Sequence, residues 1–215
     1  GGWSSVKLYF MLGLPTETDE DVLGIADLAQ KVYHVWRENT PNRSRGVRIT
    51  VSTSCFVPKS HTPFQWEAQN TQEEYLRKVT LLREHMRNKS ITYNWHDPET
   101  SYLEAVLSRG DRRIADVIEE AWRHGAKFDS WSEYFNLQTW LTAMETCGVS
   151  PAFYANRVRE KDEILPWHVI SDGVKESYLW RERETAYAGK ITPDCKVKCS
   201  GCGADKLCKG GICHG

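Results

Sequence analysis

The side chains best equipped for chemistry lie at the carboxy-terminal end, in "TPDCKVKCSGCGADKLCKGGICHG". Five of the seven cysteines fall at or after Cys195, and Cys195, Cys199 and Cys202 are spaced C-x3-C-x2-C. Thiolates at that spacing can hold an iron–sulfur cluster, and Cys208 or Cys213 could supply the usual fourth ligand. Zinc accepts four thiolates or a mixed set that includes His214, but a zinc ribbon needs two C-x2-C knuckles and here Cys199 and Cys202 form one. A Lys-rich reduced tail without metal is the third reading, and residue types alone leave the three open. An odd number of cysteines bunched at one end differs from a secreted disulfide framework, so reduced ligands in a cytoplasmic protein are expected.

Two further stretches carry reactive or binding groups. In "MLGLPTETDED" a Gly-containing turn invites a phosphate-loop reading, but Glu17, Asp19, Glu20 and Asp21 oppose it. Carboxylates suit the positive end of a helix and repel a phosphate there. The chain also lacks both G-x-x-x-x-G-K-[ST] and G-x-G-x-x-G. A neutral or cationic ligand against Gly13 fits the charges, and a plain tight turn at Gly13-Leu14-Pro15 fits the composition. In "CFVPKSHTPFQW", Pro58 and Pro63 stiffen a loop that presents Lys59 and His61, either of which could bind a substrate or move a proton. Both are also ordinary loop residues, and Cys55 reads as a buried structural thiol.

Smaller groups have two readings each. Arg109, Asp111, Arg112 and Arg113 could grip a carboxylate or form a solvated helix junction. His96 and Asp97 could be a general acid and its orienter, or Asp97 could cap a helix. Trp131 and Trp167 could wall a substrate or bury against helices.

The elements that must position these groups alternate. "SVKLYFML" (5–12) is a short continuous apolar and β-favouring run, ended by Gly13 and Pro15, that predicts a strand buried on both faces. Val22, Ile25, Ala26, Ala29, Val32, Tyr33 and Trp36 then recur at helical spacing behind a Thr18/Asp21 capping box. Residues 47–57 alternate as a second strand ended by Pro58. A helix over 72–88 and the strand "ITYNW" follow. Strand–helix–strand alternation predicts an α/β fold with parallel strands, a barrel or a doubly wound sheet. Beyond Asp97-Pro98 the pattern turns helical over 98–109, 111–124, 136–147 and 174–188, the last three closed by Gly125, Gly148 and Gly189.

Composition fits this picture. The chain has 215 residues, 40% of them hydrophobic, with a net charge of −1, so bulk charge points to no polyanion partner. The longest apolar run, "LYFMLGLP", is too short to cross a bilayer. The opening "GGWSSVKLYF" has no initiator Met and enters a strand at once, as expected of the carboxy-terminal part of a longer polypeptide.

"KLYFMLGLPTETDEDVLGIADLA" resembles the fifth strand and following helix of radical S-adenosylmethionine (SAM) enzymes, especially relatives of methylthiotransferases and cobalamin-domain-fused members. "VSTSCFVPKSHTPFQW" is similar to the sixth strand of the same barrel. "NWHDPETSYLEAVLSRGDRR", "FDSWSEYF", "FYANR" and "TPDC…C…CG" resemble a subfamily with a cobalamin-binding-like domain upstream, so the likeness covers nearly the whole chain.

The resemblance implies the last part of a partial (β/α)6 TIM-like barrel over residues 1–96, a helical extension over 97–190 and a Cys-rich tail over 191–215. It implies SAM near Gly13, with Met11 and Gly13 lining the adenine, Glu17 bracing the turn, and Phe56 and Val57 touching the adenine from the other side. The turn here, Leu14-Pro15-Thr16-Glu17, is looser than the family's pattern. The loop whose three cysteines hold the catalytic [4Fe–4S] cluster follows the first barrel strand in that family. Cys195, Cys199 and Cys202 copy its spacing in the wrong place, so they read as an accessory iron–sulfur or zinc site, and catalytic residues stay unassigned.

Two functions follow as expectations. One is a fragment of a radical SAM iron–sulfur enzyme, with cobalamin in the parent, SAM and an unidentified substrate as ligands, and the upstream polypeptide as partner. The other is a non-enzymatic α/β scaffold whose zinc-bound tail docks protein or RNA; Lys190, Lys196, Lys198, Lys206 and Lys209 make that tail locally basic.

Overall fold

The computed structural model describes residues 3–41 and 46–204. The chain divides into two compact units, residues 1–56 with 70–102 and residues 57–69 with 103–215.

The first unit contains β1 (Ser5–Leu12), α1 (Asp19–Asn39), β2 (Arg48–Cys55), α2 (Gln72–His85) and β3 (Ile91–Trp95). The three strands form one parallel sheet in the order β1-β2-β3. Met11 pairs with Ser54 and Leu12 with Cys55, and the Phe56 N–H donates to Leu12 O at 2.8 Å, carrying the pairing one step further. The stretches "FMLGLPTET" and "CFVPKSHTP" therefore leave neighbouring parallel strands at the same end.

Local chemistry starts each helix. The Thr18 hydroxyl accepts from the Asp21 N–H while the Asp21 carboxylate accepts from the Thr18 N–H, a reciprocal cap before α1. Thr71 caps α2 through the Glu74 N–H at 3.3 Å. Val22, Ile25, Ala26 and Ala29 of α1 and Tyr75, Val79 and Leu82 of α2 bury with Leu12, Ile49, Val51 and Ile91 of the sheet.

That core uses one side of the sheet. Burial alternates along β2, where Ile49, Val51, Thr53 and Cys55 are buried and Thr50, Ser52 and Ser54 are not. On the second side Tyr9 is 73% and Met11 42% exposed, and Thr92 and Asn94 are exposed on β3. The expectation that β1 is buried on both faces is corrected. The apolar run of residues 8–12 conceals an alternation, because Tyr9 and Met11 count as hydrophobic yet occupy the outer positions. Parallel sheets are usually covered on both faces, so a side left exposed among the described residues is the unit's distinguishing feature. Among the described residues the first unit has three strands.

The division between the units falls within α3 (Pro98–Arg109), after Tyr102. The second unit continues with α4 (Ile114–Arg123), α5 (Leu137–Thr146), α6 (Pro151–Ala155) and α7 (Glu176–Tyr187), and α4 packs on α5. Gly148 and Gly189, both at φ +64°, end α5 and α7 in the left-handed conformation that glycine favours. Helix α4 starts at Ile114 rather than 111, because the Ile114 N–H closes a turn on Asp111 O at 3.0 Å. Helix α6 was not expected: five residues are too few for a 3.6-residue period, although Pro151 at its start is a helix-opening residue. Trp66, Leu165, Trp167 and Leu179 form a separate core cluster, with Trp180 edge-on to Trp66 at 5.1 Å. Among the described residues no helix is long and apolar enough to cross a membrane.

Candidate functional site

At the end of β1 the chain turns at Gly13, whose φ of +91° disfavours any residue with a Cβ. The Gly13 N–H donates to both carboxylate oxygens of Glu17, at 3.0 and 3.1 Å. Glu17 Oε1 also receives Lys78 Nζ of α2 at 2.7 Å, with side-chain exposures of only 6% for the lysine and 7% for the glutamate. Lys78 donates in addition to Asn70 Oδ1 at 3.1 Å. A Cβ built on Gly13 would stand 2.8 Å from that same Asn70 oxygen. Gly13, Glu17, Asn70 and Lys78 thus form one buried polar knot that fixes the direction in which the chain leaves the sheet. Outside it, Arg77 binds Asp19 at 2.7 Å and Glu74 at 2.8 Å on the exposed surface.

Beside the knot lies a cleft of about 350 Å³ bounded chiefly by Phe10, Met11, Leu14, Pro15, Thr16 and Glu17, with Asp21 and Ile25 behind them. Such a volume falls at the small end of ligand pockets. Met11 and Glu17 border it, whereas Gly13 acts from behind, its N–H already taken by Glu17. Phe56 and Val57 are buried, at 6% and 8% exposure, and Val57 falls in the second unit. A second hollow of about 230 Å³ lies over the strand ends, between Tyr9, Ser52, Asn94, Trp95 and His96.

The electrostatics discriminate among ligands. The Asp21 carboxyl is held below its ordinary value by the Thr18 N–H and hydroxyl, and Asp19 by the Arg77 guanidinium. Lys78 is already matched to Glu17, and among the described residues no cation borders the larger cleft. A phosphate would meet carboxylates and no free Gly13 N–H, whereas a neutral base or a cation meets apolar walls edged by negative charge.

The described part of the tail is tied to the start of α7. The Lys175 N–H donates to Cys202 O at 2.8 Å, and Gly201 and Gly203 on either side have φ of +72° and +98°. Cys195 and Cys199 are exposed free thiols and Cys202 is a half-buried one. Among the described residues no three His, Cys, Asp or Glu side chains gather into a metal-binding group. Cys208, Cys213 and His214, like Lys206 and Lys209, lie outside the described residues. The described part of the tail does not by itself fit a cluster or a zinc ion.

The remaining expected residues are placed as follows. Cys55 is buried on the helix-covered side of the sheet. Lys59 pairs with Glu104 on the surface, and His61 borders a cavity with Trp167 and Asp172. Asp97 caps α3, accepting from Glu99 N–H at 3.1 Å and Thr100 Oγ1 at 3.0 Å, which is the second of its two readings. Trp131 is 62% exposed and Trp167 is buried. The solvated-junction reading fails for Arg109, which is wholly buried. Its Nε donates to Tyr154 O at 2.9 Å and its Nη1 to Gln65 O at 3.3 Å and Pro58 O at 3.5 Å. Burial, then the charges of Arg159 and Arg157, pull its pKa down to about 10. Asp111 instead holds Arg113 at 2.7 Å and accepts from Tyr154 Oη at 3.0 Å.

Sequence reasoning missed Lys78 and Asn70. A signal existed for Lys78, since it shares the buried stripe of α2 with Tyr75, Val79 and Leu82. A lysine in an apolar stripe demands a partner.

A stretch of 118 residues, 55% of the chain, is 27% identical to Uncharacterized protein MJ0966 of Methanocaldococcus jannaschii. The matched stretch spans 24% of that relative's length. No family model matches the chain, and no solved structure matches it.

Proposed function

We propose that this chain is the closing part of a radical SAM barrel, supplying the adenine-side wall for SAM and part of a substrate pocket in a larger cytoplasmic enzyme. The observation that carries this reading is the parallel sheet with one side open. Two-sided cover is the rule for parallel strands, and closing the sheet with further strands turns a polar side into a lined interior, with ligands at the carboxyl ends. The missing strands, and the cluster-binding loop of the family, would come from the upstream part of the same polypeptide.

In this reading Met11 packs on the adenine with Leu14, and Gly13 and Glu17 hold the turn that positions them. Phe56, one residue beyond β2, forms the wall next to it. The negative edge of the cleft suits the sulfonium charge of SAM. When bound with the family's cluster, SAM supplies radical initiation, a chemistry this chain's own side chains lack. Cys195, Cys199 and Cys202, with Cys208 and Cys213, are proposed as an accessory iron–sulfur or zinc site. Cobalamin is assigned to no residue of this chain.

The test is equilibrium dialysis of radiolabelled SAM against the full-length polypeptide that carries this segment, loaded with iron and sulfide without oxygen. Saturable one-to-one binding is expected, weakened at least tenfold by Met11→Asp. Absence of saturable binding by an iron-loaded preparation would overturn the proposal, and stoichiometric zinc without SAM affinity would favour the docking scaffold.

A further inference from the structure

The second unit contains a cavity of about 340 Å³ bordered by two imidazole–carboxylate pairs. His168 Nε2 lies 3.1 Å from Glu176 Oε2, and its Nδ1 faces the Leu165 N–H at 3.4 Å. The neutral ring therefore carries its proton on Nε2, turned to the glutamate. His61 Nδ1 lies 3.7 Å from Asp172 Oδ2. With the aspartate on the Nδ1 side, the neutral tautomer bearing Nδ1–H leaves a lone pair on Nε2. That Nε2 is buried and, among the described residues, has no hydrogen-bond partner.

His61 is also held in an uncommon backbone conformation, with φ of +56°. Its N–H donates to Gln65 Oε1 at 3.0 Å, and the same oxygen receives Trp167 Nε1 at 2.7 Å. Gln65 is itself buried. A residue over-determined in this way, beside a cavity and with an unsatisfied buried nitrogen, is the kind that concentrates at ligand sites.

The lining selects the ligand. Asp172 and Glu176 are its fixed charges, and among the described residues no lysine or arginine borders the cavity. Anions are disfavoured there and cations favoured. Trp167, Val174 and Leu179 offer apolar wall for a hydrocarbon portion. Arg159 stands 4.9 Å from the Trp167 ring centroid but is buried and donates to Arg109 O at 2.8 Å.

We infer that this cavity binds a small organic ammonium ion, a primary amine on a short hydrocarbon body, whose N–H groups are received by His61 Nε2 and the carboxylates of Asp172 and Glu176. The inference is independent of the SAM proposal, because every residue in it belongs to the second unit.

The experiment titrates the isotope-labelled 215-residue chain with n-butylammonium, n-butanol or butyrate. The signals followed are the His61 and His168 imidazoles and the Trp167 indole. Saturable shifts at His61 and Trp167 are expected with n-butylammonium, at least tenfold weaker binding with n-butanol, and none with butyrate. His61→Asn, which tolerates a positive φ, and the double variant Asp172→Asn, Glu176→Gln should each weaken the amine at least tenfold while keeping dispersed spectra. Equal binding of the alcohol, binding of butyrate, or no saturable shift with n-butylammonium would overturn the inference. So would unchanged affinity in folded variants; should the variants unfold, the three-probe comparison on the natural chain decides.

Discussion

Replacing Lys78 by Met tests the buried knot at the end of β1. Glu17 and Lys78 are 7% and 6% exposed and 2.7 Å apart, and the Gly13 N–H is the carboxylate's other donor. Lys78→Met keeps the apolar stem but leaves a buried carboxylate with one backbone donor, an uncompensated charge worth about 3–5 kcal/mol. With a urea dependence of about 2 kcal/mol per molar, the midpoint should fall by about 1.5–2.5 M. Urea titration with amide exchange at β2 reads the first unit specifically. Glu17→Gln added to Lys78→Met removes the stranded charge, so the pair should be non-additive by about 2–3 kcal/mol. Arg77→Ala, which breaks only exposed contacts with Asp19 and Glu74, should leave the midpoint unmoved. A Lys78→Met cost below about 1 kcal/mol, or strict additivity in the double variant, would refute the buried pair.

Three more outcomes follow from the same geometry. Gly13→Ala should cost about 2–4 kcal/mol from positive φ and crowding of Asn70, and adding Asn70→Ala should restore the crowding part alone, by urea titration. Burial pushes the Tyr75 phenol up to about 12, above its unfolded value near 10, so its contribution is full below pH 10 and lost as pH rises through 12. That loss is about 2–3 kcal/mol, and Tyr75→Phe should flatten the alkaline limb of a midpoint-against-pH series. Arg109→Leu strands the carbonyls of Tyr154, Pro58 and Gln65 and should cost about 3–5 kcal/mol in thermal unfolding; Arg109→Lys should not rescue it, because an ammonium lacks the planar fork.

The features that sequence conveyed are those decided within a few residues. Thr18 with Asp21 announces the start of α1, Gly148 and Gly189 announce helix ends, and alternation along β2 gives its buried side. What escaped depends on distant partners. Tyr9 and Met11 belong to an apolar run and lie on the open side because both helices cover the other. Arg109 reads as a surface charge until three carbonyls from separate segments converge on it. Lys78 becomes part of the site only through Glu17, whose spacing of 61 residues no local pattern reports. His61 was visible as a loop imidazole, but its pairing with Asp172 and the cavity beside it arise from tertiary folding.

Photolabelling measures the central claim in place. The full-length, iron-loaded polypeptide is irradiated with 8-azido-S-adenosylmethionine, and the modified peptides are sequenced with and without competing SAM. The account predicts SAM-protected labels within residues 9–17 and 52–57, at the carboxyl ends of β1 and β2. Protected labels confined to other segments of the chain, or none that SAM protects, would contradict it.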